Sequence, residues 1–442
     1  MSTSSPESRS ASAGPSTPSV LHILRVLFRK FEWGFAVMAV FLASGAILQG
    51  ILRAGNEMET GGWIYVVWGS MYLITTGLVI IRRREVKHTL RVLWRDPLLV
   101  TLLLYTTLSF LWASDPLLTA RRVIIFGGTV LIGVFLAARF TLHQIFQLSG
   151  IALAIAGILS VIVAILFPEI GLYQVGRAVG IQGVFGNKNT LGRALSLGAA
   201  ISFFLALDKR IENRTFWFGV FLLLTIVVFF SESQTSVVAL TAVILIVPFL
   251  SLLRSSGKLL IPSFILLGGI AFAIGLAVYS NWESLLSLLG RDETLSGRLG
   301  VWYATIVMIA GEPWLGHGYG ADWLGEISSY GYLVGQYFAE WSPGHAHNGI
   351  LQVGFELGVV GVLVLGAHLF QFVKKSIRWF RIYGVGYSAY LPMGFLLTLF
   401  GANVTQTTIL SRNGLYWILY VAIALALSRA IRRKRSSEKD VV

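Results

Sequence analysis

Apolar runs of about 17 to 25 residues recur along nearly the whole chain, separated by short polar loops, and no other feature restricts the fold so severely. A segment that crosses lipid must satisfy its backbone hydrogen bonds without water. Runs of Leu, Ile, Val, Phe and Ala do so as helices, whereas a closed barrel needs a strict in–out alternation that these runs lack. With 55% hydrophobic and only 13% charged residues, the chain has too few polar side chains to cover a soluble globule. The expected fold class is all-α, a polytopic membrane protein of about 12 transmembrane helices.

The predicted spans are 31–52, 62–81, 98–113, 123–138, 144–167, 190–207, 215–231, 235–253, 259–279, 348–373, 386–407 and 413–428. An even number puts both termini on one side. Of the 35 Lys and Arg, 26 fall in the two termini and in alternate loops, including RRREVKHTLR (82–91), DKR (208–210), KKSIRWFR (374–381) and RAIRRKR (429–435). By the positive-inside bias these face the cytoplasm. The domain plan is a disordered cytoplasmic N-terminus (1–30), helices one to nine (31–279), an outer loop module with interfacial helices (280–347), helices ten to twelve (348–428) and a basic cytoplasmic tail (429–442). The net charge of +14 is explained by topology and contact with membrane lipid, so no nucleic-acid partner is expected. The first span is expected to serve as the targeting signal. With no cysteine, any catalysis must use histidine, carboxylate, arginine or hydroxyl groups.

Two outer loops are unusual. Segment 280–347 is too long for a simple connector. Within it SGRLGVWYATIVMIA (296–310) reads as a helix that starts near Ser296, stops at Gly311 and Pro313, and lies along the interface. Trp323, Tyr330, Tyr332, Tyr337 and Trp341 follow, either as an interfacial belt or as platforms for sugar rings. The second loop, 168–189, carries Arg177 and Lys188, with Arg193 just inside the next span. Outward cations run against the charge bias and point to an anionic ligand such as phosphate. Arg121, Arg122, Arg291 and Arg298 are also outward, while Arg53 and Arg412 read as snorkelling to headgroups.

At the end of the long loop, HAHN (345–348) stands where a polar segment enters an apolar run. An ionisable group at such a boundary is costly to desolvate and is usually kept for a task. His345-x-His347 also raises a metal reading, as does Glu57-x-Glu59 in the first outer loop. Neither has further ligands at a recognisable spacing, and with several arginines present no metal or other cofactor is expected.

GVFGNKNTLG (183–192), SESQTS (231–236), SGRLGVW (296–302), PWLGHGYG (313–320) and HAHNGILQVGFELGVVGVL (345–363) together resemble the O-antigen ligase and polymerase superfamily, in its order and membrane placement. The resemblance implies a membrane-embedded glycosyltransferase of the GT-C-like type in the bacterial inner membrane. It implies transfer of a glycan from undecaprenyl diphosphate to lipid A-core at the periplasmic face, with inversion and without a metal. Where many relatives have Arg after Ser-x-Ser, this chain has Gln234.

Such chemistry needs cations on the departing diphosphate and a base for the acceptor hydroxyl. The expected diphosphate ligands are Arg298, Arg193, Lys188 and Arg177. His347 matches the functional histidine of the resemblance and, with an ordinary pKa of about 6.5, is expected as general base alongside Arg298. A structural alternative is that His347 and Asn348 only cap the following helix. Asn348, Gln352, His345, His317, Asn189 and Tyr319 are candidates for support or sugar binding. Competing functions are an O-antigen polymerase, a protein O-oligosaccharyltransferase, and, in another class, a transporter or flippase.

Overall fold

The computed structural model describes residues 20–47, 57–175, 178–255, 298–323, 344–383 and 386–439. Six helices come first: α1 (Val20–Ala43), α2 (Glu57–Ile81), α3 (Arg83–Trp94), α4 (Pro97–Leu108), α5 (Pro116–Arg139) and α6 (Leu142–Leu166). An antiparallel hairpin of β1 (Leu172–Val175) and β2 (Ala178–Ile181) then interrupts them. After it come α7 (Lys188–Leu207), α8 (Arg214–Phe230), α9 (Gln234–Ser255), α10 (Arg298–Gly311), α11 (Gly349–Tyr383), α12 (Leu391–Thr405) and α13 (Leu415–Lys439). Apart from the hairpin the architecture is all-α, that of a multi-pass membrane protein.

Local sequence sets the helix starts. Asp96 and Asp115, each followed by proline, accept from the amides of Leu99 and Leu118, while Thr141 and Gln144 close a reciprocal capping box on α6. Asn187 accepts from the amides of Asn189 and Thr190 at the head of α7.

Among the described residues, six helices are long and apolar enough to cross a membrane, within α2, α5, α6, α7, α11 and α13, and α4, α8, α9 and α10 contribute shorter apolar stretches. By that measure the expected twelve are not reached, and the predicted span 259–279 lies outside the described residues. Two predicted boundaries need correction. The N-terminal region 1–30, expected to be disordered, is helical from Val20, and the basic loop at 82–91 is the helix α3. In α3, Val86, Thr89 and Val92 recur at helical spacing and are buried, leaving the basic side chains on the other face. The basic tail likewise continues α13 as helix to Lys439.

α13 is the core of the molecule. Residues 415–428 are buried throughout, packed against α5, α6 and α11. A Cβ at Gly133 of α5 would stand 2.9 Å from Val421 Cβ, so the absent side chain permits this close approach. Two buried ionic ties brace the bundle. Glu32 of α1 receives Arg82 at both carboxylate oxygens (2.7 and 2.8 Å) and Arg139 at 2.6 Å. Asp96 receives Lys375 of α11 at 2.5 Å.

The continuous helix predicted at 348–373 is broken. Gly358 has φ 63° and ψ −169°, dividing α11 into 349–357 and 359–383. The loop 313–320 closes the break. Amides of His317 and Gly318 donate to the carbonyls of Phe355 and Glu356, and the Tyr105 hydroxyl donates to that of Leu357. On the other side, amides of Val359 and Val360 donate to Pro313 and Trp314. A broken helix is tolerated at membrane depth where neighbouring protein satisfies the freed groups in this way.

Candidate active site

The histidine cluster is assembled by the start of α11. Asn348 alone caps that helix, its Oδ1 accepting from the amides of Ile350 (3.0 Å) and Leu351 (3.1 Å), and its Nδ2 reaches the Val404 carbonyl at 3.4 Å. His347 immediately precedes this cap. It has φ 47°, a left-handed conformation uncommon outside glycine, which swings its ring back toward His345, with ring centroids 4.0 Å apart. The His347 amide donates to His345 Nδ1 at 3.1 Å, and the Thr407 hydroxyl lies 3.4 Å from the same nitrogen. Gln352 holds the loop from below: its Oε1 accepts from the Ala346 amide (2.9 Å) while its Nε2 donates to Glu356 (3.0 Å).

Cations from two other helices converge here. Arg298 opens α10, which packs on α11, and Arg193 projects from the first turns of α7. Burial, then the neighbouring His345, then Arg298 and Arg193 hold the His347 imidazole down to about 3. Burial and Arg193 hold His345 at about 4. Both rings are neutral at physiological pH, and the effects of Arg298 and Arg193 on His347 put all four groups within one electrostatic neighbourhood.

Beside them is a small cavity of about 20 Å³ between α7, α9, α12 and α13. Asn189, Arg193, Ser233, Ser236, Thr398, Gln406 and Tyr416 line it. Ser233 Oγ donates to Asn189 Oδ1 at 3.2 Å and lies 2.9 Å from Ser236 Oγ, and the Tyr416 hydroxyl donates to the Arg193 carbonyl at 3.0 Å. The wall continues from Gln406 into Thr407, the neighbour of His345. Gln234 heads α9 next to Ser233.

The structure thus brings together Arg298, Arg193, His345, His347, Asn348, Gln352 and Asn189. It places others elsewhere. Lys188 lies at the edge, its ammonium 4.5 Å over the Tyr173 ring of β1, and Arg177 lies outside the described residues. Tyr319, a candidate for support or sugar binding, is a core residue: it is buried against Phe126 and its hydroxyl donates to the Leu410 carbonyl at 2.5 Å. His317 is also buried, stacked on Phe355 with Nε2 3.0 Å from the Met308 carbonyl, so it ties α10 to α11.

Arg412, expected to snorkel, instead packs 5.9 Å over the Tyr319 ring, and Arg122 donates to the Gly320 carbonyl. Sequence reading did not assign roles to Ser233, Ser236, Thr398 or Tyr416. Ser233 and Ser236 stand in the SESQTS motif and were legible there, but Thr398 and Tyr416 are single polar residues in apolar runs. Among the described residues no three metal-ligating side chains gather.

Fold and site define a class: a multi-pass helical membrane protein with a polar, cation-bearing cleft at one end of its bundle. Residues 218–366, the part of the chain that carries Ser233, Arg298 and the histidines, match the family model described as O-Antigen ligase. GVFGNKNTLG, with Asn189, precedes the matched segment. The chain is also similar to the exopolysaccharide production protein ExoQ of Rhizobium meliloti (strain 1021), 26% identical over 273 residues. That similarity covers 59% of this chain and 61% of the relative, less than two thirds of its length.

Proposed function

We propose that this chain is a membrane glycosyltransferase that moves a glycan from undecaprenyl diphosphate to a hydroxyl of lipid A-core, at the periplasmic face of the bacterial inner membrane: an O-antigen ligase. The observation that carries the reading is the meeting of Arg193, Arg298, His345 and His347 beside a cavity edged with hydroxyl and amide groups. Both termini are then cytoplasmic, as the distribution of basic residues requires.

In this mechanism Arg193 and Arg298 hold the donor diphosphate, with Lys188 at the rim. The His347 imidazole takes the proton of the acceptor hydroxyl. The acceptor oxygen bonds to the anomeric carbon as the bond from that carbon to the diphosphate oxygen breaks, the electron pair leaving with undecaprenyl diphosphate, and the configuration inverts. Each charge-assisted hydrogen bond from a guanidinium is worth roughly 1.5–3 kcal/mol, so two arginines offset a large part of the charge growing on the leaving group without a metal. Donor binding offsets the part of the His347 depression that comes from Arg298 and Arg193, while burial, its largest cause, remains.

The test is reconstitution of purified protein with a polyprenyl diphosphate glycan and lipid A-core, with and without a chelator. A glycan ladder on the glycolipid that survives the chelator is expected. His347→Ala should lower the rate by about 10² to 10⁴-fold while the protein stays folded; full activity in that variant would refute the base role. A second reading, polymerisation of the carrier-linked glycan, is favoured by the similarity to a protein of exopolysaccharide production. Chain growth on the carrier with no labelled glycolipid would select it.

A further inference from the structure

Glu356 stands two residues before the break in α11 and is buried, an acidic group that the mechanism above leaves without a task. Gln352, one turn earlier on the same helix and also buried, donates from Nε2 to Glu356 Oε1 at 3.0 Å. Gly320, at the end of the docked loop, gives the carboxylate a backbone hydrogen bond, and Arg412, just before α13, and Arg122 of α5 act on it electrostatically. The Glu356 carbonyl in turn accepts from the Gly318 amide at 2.9 Å, so the loop 313–320 holds this residue by backbone and side chain alike.

This placement gives the next contact a direction. A carboxylate offers only acceptors, whereas the end of a glutamine side chain offers a donor on one side and an acceptor on the other. With its NH2 committed to Glu356, Gln352 must turn Oε1 toward the Ala346 amide, and that oxygen accepts at 2.9 Å. The reverse orientation would set oxygen against carboxylate and NH2 against N–H, leaving buried polar groups unpaired at both ends. Ala346 is itself buried and precedes His347, whose φ of 47° has to be held by its neighbours.

We propose that Glu356 is a positioning residue of the transfer reaction: by setting the direction of the Gln352 amide, it fixes the backbone that presents His347. The proposal rests on the base role assigned to His347 above. Glu356 acts through Gln352 and not on the reacting atoms.

The test exchanges the two residues. In Q352E two carboxylates face each other and the relay breaks. In Q352E/E356Q a carboxylate at position 352 accepts from the Ala346 amide, the side-chain NH2 at position 356 donates to it, and the oxygen at 356 accepts from Gly320, so the direction is restored. Hydrogen exchange of residues 344–348, in the full-length chain in nanodiscs, reads the loop directly. Steady-state kinetics with a polyprenyl diphosphate glycan and lipid A-core read the consequence. Q352E and E356A should each speed exchange of that segment about tenfold and lower kcat about tenfold, with KM for the donor little changed. The double variant should recover most of both losses. A merely structural role for Glu356 gives no such recovery, because the exchange leaves Arg122 and Arg412 without a carboxylate at position 356. If E356A does not fold, E356D takes its place, since it keeps the charge but withdraws the acceptor from Gln352, with the same expectation. Unchanged exchange in Q352E and the Glu356 variant, faster exchange with kcat unchanged, or a double variant no better than Q352E would overturn the inference. The expected exchange pattern in a parent protein that transfers no glycan would overturn the proposed function instead and leave the relay standing.

Discussion

Holding His347 at a φ of 47° costs on the order of 1–3 kcal/mol, so its neighbours must over-determine the loop. Asn348 does so by its two cap bonds, and Gln352 by the Ala346 amide. Gln352→Ala is expected to release the loop, lowering kcat with a smaller change in KM, and steady-state kinetics on the reconstituted enzyme would measure it. The depressed imidazole sets the pH behaviour. Since kcat/KM reports the free enzyme, its acid limb should not appear at the ordinary 6.5 but only as the pH approaches about 3. Arg298→Gln removes a positive charge, favours the protonated ring, and so should move that limb to higher pH; an unmoved limb would mean that Arg298 is not near His347. For stability the sign is the same for both histidines. Their folded values lie below the ordinary 6.5, so their contribution is complete above 6.5 and is lost as pH falls toward about 4 for His345 and about 3 for His347.

Among elements, α11 is the one whose irregularity organises the site. Its break at Gly358 lets the loop 313–320 dock, and that loop carries His317, which braces α10 and with it Arg298. A Cβ at Gly358 would stand 2.2 Å from the Trp314 carbonyl oxygen, a backbone atom, at a φ that side chains avoid. Gly358→Ala should therefore destabilise the protein by at least about 1–3 kcal/mol and loosen α10 against α11. A lowered midpoint in detergent unfolding checks this, and a variant as stable as the parent would contradict the docking account. The run at 348–363 looks like one uninterrupted apolar helix in sequence because glycine there is compatible with either a helix or a break. Only the partner loop decides between them. α3 was missed for a related reason: its buried face is three residues wide in a basic segment, and topology alone explains the charge.

Across the whole molecule, the buried ties join segments distant in sequence. Glu32 is inaccessible and holds Arg82 and Arg139, linking α1, the start of α3 and the end of α5. Removing it leaves two guanidiniums partly buried without their carboxylate. Glu32→Ala should cost about 3–5 kcal/mol, measurable as a shift in chemical unfolding in micelles. The two ends of the bundle are also unlike. One presents neutral histidines between two arginines and a hydroxyl-lined cavity, the other five arginines around a larger one, with α11 and α13 running between them.

The sequence by itself determined the solvent and the helical class of the fold. Long apolar runs admit only helices in lipid, and HAHN with outward arginines narrowed the reactive groups to a few. Those properties are local, since hydrophobicity, capping and residue type act over a helical turn or along a single run. What tertiary structure alone decided was which polar groups meet. It assigned the helix cap to Asn348, moved Tyr319 and His317 into the core, and brought Thr398 and Tyr416 to the cavity of Arg193. Such meetings depend on how helices far apart in the chain pack and break, and burial and charge then set each group's protonation from all sides at once.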